Sequence, residues 1–198
     1  MNGKLRCNYC MPLHSLFVLS FFLLIVSTVR GQEKEPFKPI HSIGFNIGHE
    51  HSFSGVDENG ERQVAVLACW GIDYSFQFSR KFAVGLLTDF ITESFKVEKN
   101  LENGHKEVVE RSYPIAPAAM CFYKPGKHWS FGLGLGGEFA KEENYLLSRT
   151  GIEYSVEIRN GWDVFGTVQY DFRWNAYDTW AIGMGIIKSF GKREHHEK

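Results

Sequence analysis

Strict period-two alternation over residues 63 to 79 constrains the fold of this chain more than any other feature. The even-numbered positions carry the apolar side chains Val64, Val66, Ala68, Trp70, Ile72, Tyr74, Phe76 and Phe78. The odd-numbered positions include Gln63, Asp73, Ser75, Gln77 and Ser79. Successive side chains of a β-strand point to opposite faces, whereas a helix cannot sort side chains in this way. The segment is therefore predicted to be a strand with one apolar and one polar face.

The same alternation recurs along the chain and predicts eight strands. We place them at residues 41 to 53, 63 to 79, 81 to 97, 107 to 123, 129 to 142, 145 to 158, 162 to 176 and 178 to 190. The fourth segment contains Pro114 and Pro117. Proline cannot donate a hydrogen bond to a strand ladder, so we expect a bulge or local distortion there.

The connections between these strands alternate between short and long. Three are tight, at residues 79 to 81, 124 to 128 and 159 to 161, and the last reads as a three-residue loop that pairs Ile158 with Trp162. Between them fall the polar connections at residues 54 to 63, 98 to 106 and 141 to 144, and a short one at residues 175 to 178. This arrangement predicts an all-β fold, an eight-stranded antiparallel up-and-down barrel over residues 41 to 190.

The volume of the apolar side chains indicates which face points outward. Eight strands enclose an interior just wide enough for side chains to fill it. The apolar face carries all five tryptophans, Trp70, Trp129, Trp162, Trp174 and Trp180. These are too bulky for the interior, and a soluble barrel would have to expose much of this aromatic surface to water. We therefore predict a transmembrane barrel with its apolar face toward lipid.

The opposite face would then line the lumen with small and charged side chains. The charged and polar ones are Asn46, Glu50, Asp73, Asp89, Glu93, Glu138, Arg149, Glu153, Glu157, Asp171 and Arg173, and Gly44 lies among them. The predicted register places Arg149 opposite Asp171, so we expect an ion pair between them. Carboxylates such as Glu153 and Glu157 could suggest acid and base catalysis. Structural pairing with the lumen arginines is the favoured interpretation.

Aromatic residues gather at the ends of the predicted strands, as lipid–water interfaces favour. The set at the tight-turn end is Phe78, Phe82, Tyr123, Trp129, Trp162 and Phe190. The set at the long-loop end is Phe53, Phe139, Tyr145, Trp174 and Trp180.

The first 31 residues have the plan of a secretory signal peptide. Lys4 and Arg6 precede an apolar run from Leu16 to Val29, which is shorter than the ~20 residues of a membrane-spanning helix, and cleavage is expected after Gly31. Residues 32 to 40 form a polar leader, and residues 191 to 198 form a charged periplasmic tail.

Without residues 1 to 31 the chain has 19 Lys and Arg against 23 Asp and Glu. No basic run and no RNA- or DNA-binding motif stands out in the sequence, so we expect no nucleic-acid partner. The two cysteines left, Cys69 and Cys121, fall on non-adjacent predicted strands and are expected to be free thiols.

With these features the chain resembles the small eight-stranded outer-membrane β-barrel proteins of Gram-negative bacteria, of the OmpX and OmpA transmembrane-domain type. The resemblance rests on the signal peptide, the alternating segments and a last strand, TWAIGMGIIKSF, that ends in Phe190. It implies a cell outer membrane location, contact with outer-membrane lipid and lipopolysaccharide, and insertion by the barrel-insertion machinery. The tail departs from the pattern because residues 191 to 198 follow the terminal Phe.

The stretch FGLGLGGEF contains Gly132, Gly134 and Gly137 at the spacing of a dinucleotide-binding loop. That motif needs a helix after the glycines. Here the bulky residues alternate with the glycines, so the stretch is predicted to be the fifth barrel strand.

Two histidines invite a chemical interpretation. His49 and His51 lie two apart on the first strand, so both face one side, and such a pair can chelate a metal. A lipid A deacylase-like enzyme is another alternative, but its His-x-Ser-Asn motif in a late strand is missing. We interpret these histidines as interfacial. His195 and His196 in the tail are interpreted as solvated. We predict no catalytic residue, metal or cofactor.

The sequence thus favours a barrel with a filled polar lumen. Its expected role is in envelope structure, or as a subunit of a larger assembly with other outer-membrane proteins. A lipid-modifying enzyme and a surface-binding protein acting through its loops are the alternatives.

Overall fold

A computed structural model of the protein describes residues 37 to 57, 59 to 100 and 106 to 191. The signal peptide, residues 32 to 36 of the leader and residues 192 to 198 of the tail, with His195 and His196, lie outside the described residues. The described residues form ten strands: β1 (Ile40–Val56), β2 (Arg62–Gln77), β3 (Phe82–Ile91), β4 (Ser94–Asn100), β5 (Lys106–Ser112), β6 (Ile115–Tyr123), β7 (Trp129–Phe139), β8 (Asn144–Arg159), β9 (Trp162–Arg173) and β10 (Asp178–Phe190).

Eight of these strands close into an antiparallel up-and-down barrel, as the sequence predicts. The order around the wall is β1, β2, β3, β6, β7, β8, β9 and β10, and β10 pairs with β1 from His41 opposite Phe190 to Ser52 opposite Thr179. No helix among the described residues is long and apolar enough to span a bilayer.

The third and fourth predicted strands are each broken in two, which corrects the sequence-based bounds. The chain leaves the barrel after β3, forms a β4–β5 hairpin, and rejoins the barrel as β6. Tyr113, just before Pro114, has a φ of 46°. A positive φ is unfavourable for a bulky residue and is incompatible with a continuing strand. The distortion expected at this proline is thus confirmed, although it is a break and not a bulge.

The break between β3 and β4 lies at Thr92 and Glu93. Glu93 Oε1 accepts a hydrogen bond of 3.0 Å from the Ala68 amide, and the Thr92 amide donates to the Ala68 carbonyl. The Glu93 carboxylate therefore satisfies a β2 amide beyond the end of β3. It is exposed, so its predicted lumen position is wrong.

The β8–β9 turn also differs from the three-residue loop predicted at residues 159 to 161. Asn160 and Gly161, with φ values of 51° and 74°, form a two-residue turn, and Arg159 pairs with Trp162. An Asn-Gly turn with two positive φ angles matches the twist of a hairpin. A register shift between Glu157 and Arg159 then restores the expected register, so Arg149 lies opposite Asp171.

The barrel wall sorts its side chains as the alternation predicts, with apolar ones outside. In β7, Leu133 and Leu135 are 67% and 60% exposed, whereas Glu138 is fully buried. Trp129, Trp162, Trp174 and Trp180 all lie on the exposed outer face. Tyr145 is buried and faces the lumen, so its predicted place in the outer aromatic set is wrong. It lies in phase with Arg149 on β8, and two residues in phase share one face.

The lumen also contains an apolar patch that the sequence analysis did not anticipate. Buried Ala116, Ala118, Met120 and Leu147 pack together with Leu87 and Phe122. The glycines of β7 were predicted to make room for Glu153. They make room for this apolar patch instead. A Cβ on Gly132 would lie 2.9 Å from Phe122, and one on Gly134 would collide with the Ala119 carbonyl and the Met120 sulfur. Cys69 and Cys121 are free thiols, as predicted.

Candidate functional site

Arg149 connects two sides of the lumen. It projects from β8, and its Nε and Nη2 donate to the two oxygens of Asp171 at 2.7 and 2.6 Å. Its Nη1 lies 2.7 Å from Asp89 on β3, across the barrel. This confirms the predicted Arg149–Asp171 pair in bidentate form, the strongest geometry for an arginine and a carboxylate.

Arg173 and Glu138 form a second group closer to the loop end. Arg173 Nε donates to Glu138, its Nη2 donates to Glu50 at 2.7 Å and its Nη1 to Thr179 at 2.8 Å. Glu50, Glu138 and Thr179 come from β1, β7 and β10. The charged side chains thus fix strands that are not neighbours in the wall.

Glu138 accepts further hydrogen bonds from outside the predicted lumen set. Arg111 Nε of β5 donates to it at 2.9 Å, and the Tyr177 hydroxyl contacts both carboxylate oxygens at 2.8 and 3.0 Å. Arg111 is fully buried, and its guanidinium lies 4.4 Å from the centre of the Tyr145 ring. Burial raises the pKa of the Tyr177 hydroxyl well above its usual range. Tyr177 therefore acts as a neutral hydrogen-bond donor.

The β4–β5 hairpin covers the loop end of the lumen. Phe95 and Val97 of β4 are buried, and they belong to an apolar cluster that is completed by Leu67, Ile91, Tyr145, Ala176 and Tyr177. The Phe95 and Tyr177 rings meet edge to face at 6.0 Å. Burial of these side chains excludes water from the loop side of the charged network, which strengthens its ion pairs.

Two carboxylates on the β7–β8 connection hold the hairpin in place. Glu143 accepts from Lys99 Nζ and from the Tyr145 hydroxyl, both at 2.7 Å, and Glu142 accepts from Ser112 at 2.7 Å. Hydrogen bonding by Ser112 lowers the pKa of Glu142, and hydrogen bonding by Lys99 lowers that of Glu143. Both side chains are exposed, so these contacts position the hairpin more than they stabilise it.

The lumen is more acidic toward the tight-turn end. Asp73, Glu153 and Asp163 line a cavity of about 50 Å³ together with Lys124. Asn46 donates to Asp73 at 3.0 Å. Glu157, which the sequence analysis also assigned to the lumen, is exposed at the turn end and accepts from the Gly161 amide at 3.4 Å. Glu153 and Glu157 thus lie in different surroundings.

His49 and His51 share the outer face of β1, whereas Glu50 and Ser52 are buried on the lumen side. The register places Ala68 and Ile182 beside His49, and Val66 and Trp180 beside His51. The barrel wall therefore separates these imidazoles from the nearest hydroxyl and carboxylate of their own strand. In the described part of the chain, no three His, Cys, Asp or Glu side chains are grouped so as to hold a metal ion.

Three members of the network were missed by the sequence analysis. Arg111 was placed in a continuous fourth strand, Tyr177 in a connecting loop and Thr179 in the last strand, without roles. Thr179 could have been found, because it shares the inward phase of β10 with Ala181 and Gly183. Arg111 and Tyr177 have no such signal, since both approach the lumen from segments outside the barrel wall.

Comparisons with known proteins bear on the fold of this chain. No protein-family model and no curated protein sequence matches this chain. Among solved structures, OprG, an outer membrane protein from Pseudomonas aeruginosa, is 14% identical, with a TM-score of 0.52, over 78% of this chain and 96% of OprG. Ail, the attachment invasion locus protein of Yersinia pestis, is 13% identical, with a TM-score of 0.46, over 76% and 99%. The N-terminal β-barrel domain of Pseudomonas aeruginosa OprF is 11% identical, with a TM-score of 0.46, over 75% and 97%.

The likeness to OprG is one of fold, since the sequences have diverged far. The chain therefore has the fold of a small outer-membrane β-barrel protein.

Proposed function

We propose that this protein is an integral outer-membrane barrel whose lumen is closed, and that it serves envelope structure, alone or as a subunit of a larger outer-membrane assembly. The single observation that carries the proposal is the buried network from Asp89 through Arg149 and Asp171, and from Glu50 through Arg173 to Glu138 and Arg111. These side chains reach across the lumen as paired, buried ions, and we expect them to leave no continuous hydrated path.

The outer face supports the membrane location. Its exposed side chains include Ile47, Leu133, Leu135, Ile182 and Met184, each more than half exposed. An apolar band of this extent would cause a soluble protein to aggregate, whereas lipid tails solvate it well. The last strand, β10, ends at Phe190 and closes the barrel against β1, which suits recognition by the barrel-insertion machinery.

Planar-bilayer recording tests the closed lumen. We expect no stepwise conductance from purified protein whose insertion is demonstrated by heat-modifiable gel migration. Stepwise openings of the size of a water-filled pore, from protein that migrates as a folded barrel, would contradict the proposal. Isolation of native complexes from outer membranes distinguishes the two structural roles. Other barrels should co-purify if the protein is a subunit of a larger assembly, and none should co-purify if it acts alone.

The lipid-modifying alternative has less support from the geometry. The two histidines of β1 face the bilayer, and the register sets apolar residues beside them. Unchanged lipid A mass spectra after deletion of the gene would exclude this enzyme activity. A changed spectrum that the wild-type gene restores, but the His49→Ala variant does not, would support it.

The surface-binding alternative is favoured by one specific feature of the hairpin. Among the described strands, β5 ends the sheet order and pairs with β4 alone, which leaves its other edge open, and Val108 on it is 53% exposed. Open edges accept further strands. A photo-crosslinker at position 108 on whole cells should capture a partner if the hairpin binds one, whereas the same probe at exposed Asn59 should not.

A further inference from the structure

The two ends of the barrel differ in charge. At the tight-turn end, seven basic residues form what we call the turn-end collar: Lys38, Arg80, Lys81, Lys124, Lys127, Arg159 and Lys188. Among the described side chains at that end, Glu157 is the one exposed carboxylate, whereas Asp73 and Glu153 are half-buried and Asp163 is buried. These three inward carboxylates share a lumen cavity with Lys124, and the other six basic residues lie outside that cavity.

The loop end has the opposite balance. Outside the lumen, its described side chains comprise four basic residues, Arg62, Lys96, Lys99 and Lys141. They stand against nine acidic ones, Asp57, Glu61, Glu93, Glu98, Glu107, Glu110, Glu142, Glu143 and Asp178. A net charge close to zero for the whole chain conceals this separation.

The collar lies next to the aromatic residues that mark the edge of the apolar band. Lys81 precedes Phe82, Lys124 follows Tyr123, and Lys127 lies two residues before Trp129. Lys188 faces outward from β10, and its Nζ lies 5.1 Å from the centre of the Trp162 ring and donates to the Asn160 carbonyl at 2.8 Å. Long basic side chains beside interfacial aromatics extend to the level of lipid headgroups.

The collar also lines a recess large enough for a headgroup. Lys38, Arg80, Lys81, Lys124 and Lys127 surround a space of about 400 Å³, to which Glu157 and Asp163 also contribute. Trp129, which lies on the outer face, forms part of the same recess. The recess therefore reaches from the mouth of the barrel to the lipid-facing wall.

We propose that the turn-end collar is a docking surface for the headgroups of anionic glycerophospholipids in the periplasmic leaflet. The inference rests on the proposed membrane location. The turns and both ends of the described chain lie at this end, which is the periplasmic end of an up-and-down barrel. Anionic headgroups complement the collar, whereas the acidic loop end repels the phosphates of the opposite leaflet.

Quenching of tryptophan fluorescence by brominated lipids tests this surface. The full chain without its signal peptide is inserted into mixed vesicles in which either phosphatidylglycerol or phosphatidylcholine carries bromine in its acyl chains. We expect phosphatidylglycerol to associate with the wild type at least about threefold more strongly than phosphatidylcholine. The preference should weaken as salt is added, because exposed charges are screened.

Matched variants assign the preference to the collar. The variant Lys81→Gln/Lys127→Gln/Lys188→Gln should lower the ratio toward one. The control Arg62→Gln/Lys96→Gln/Lys141→Gln, with the same change in charge at the loop end, should retain it. Equal association of both lipids with the wild type, or an unchanged ratio in the collar variant, would overturn the inference.

A competing anion distinguishes a lipid headgroup from free phosphate as the occupant of the collar. Loss of the preference in inorganic phosphate, but not in sodium chloride of equal ionic strength, would indicate a site for free phosphate and overturn the lipid docking surface. Absence of quenching by either lipid would contradict the membrane location itself, whereas quenching by both lipids equally would contradict only the collar inference.

Discussion

At the scale of single residues, Glu138 is the carboxylate that accepts from the most side chains in the described lumen network. It accepts hydrogen bonds from Arg111, Arg173 and Tyr177 and is fully buried. Two of its partners carry a positive charge that has been removed from water. Such a group is costly to bury unless each charge is paired, so the residues of this network depend on one another.

Replacement of Glu138 by glutamine should therefore be strongly destabilising. Glu138→Gln retains the shape of the side chain but leaves two buried arginines without their common counter-charge. We expect a loss of roughly 3–5 kcal/mol in the free energy of unfolding, measured by urea titration of the protein in lipid vesicles. The control Glu110→Gln, at an exposed position on β5, should change it by less than about 0.5 kcal/mol. Equal effects of both variants would show that the network does not hold the barrel together.

At the scale of elements, the β4–β5 hairpin covers the rim of the barrel at its loop end. Its apolar side chains, Phe95 and Val97, face the barrel, and its charged contacts reach the β7–β8 connection at Glu142 and Glu143. The apolar contacts do not depend on pH, whereas the charged ones do. Acid should therefore loosen the position of the hairpin while the barrel stays closed.

The direction of this pH effect follows from the lowered pKa values. A carboxyl group whose pKa is lower in the folded protein contributes stability above its ordinary value, 4.5 for glutamate, and loses it as pH falls through the lowered value. We expect hydrogen exchange of the β4 and β5 amides, corrected for intrinsic rates, to accelerate below about pH 4. Glu142→Gln/Glu143→Gln should show that faster exchange already at pH 7, and the control Glu61→Gln should not. Hairpin exchange that is the same at pH 7 and pH 3 in the wild type would exclude this anchoring role.

At the scale of the whole molecule, the barrel is apolar outside and charged inside, which reverses the arrangement of a soluble protein. Position therefore decides the cost of a charged substitution. Leu133 lies midway along β7, and Leu146 lies near the loop end of β8, and both are more than half exposed on the outer face.

The substitution Leu133→Arg should destabilise the inserted barrel by roughly 2–4 kcal/mol, because it places a charge at the middle of the bilayer. The matched variant Leu146→Arg, near the interface, should cost no more than about 1 kcal/mol. Urea unfolding in vesicles measures both. Similar costs for the two variants would mean that the outer face does not contact a bilayer.

The sequence by itself determined the strand count of the barrel, the faces of its strands and the Arg149–Asp171 pair. The strand count and the faces follow from local alternation, which consecutive residues determine. The Arg149–Asp171 pair agrees with the predicted register because the shift between Glu157 and Arg159 offsets the shorter turn. The bulk of the tryptophans was enough to decide which face is outside.

Only the tertiary structure decided which side chains cover the loop end of the lumen and cross it. A strand that continues and one that breaks into a hairpin show the same alternation, so residues 81 to 123 could not reveal the departure of β4 and β5. Arg111 is 27 residues from its partner Glu138 and lies outside the wall that brings the predicted ions together. Contacts of this kind depend on where a hairpin folds back, and no periodicity along the chain encodes that position.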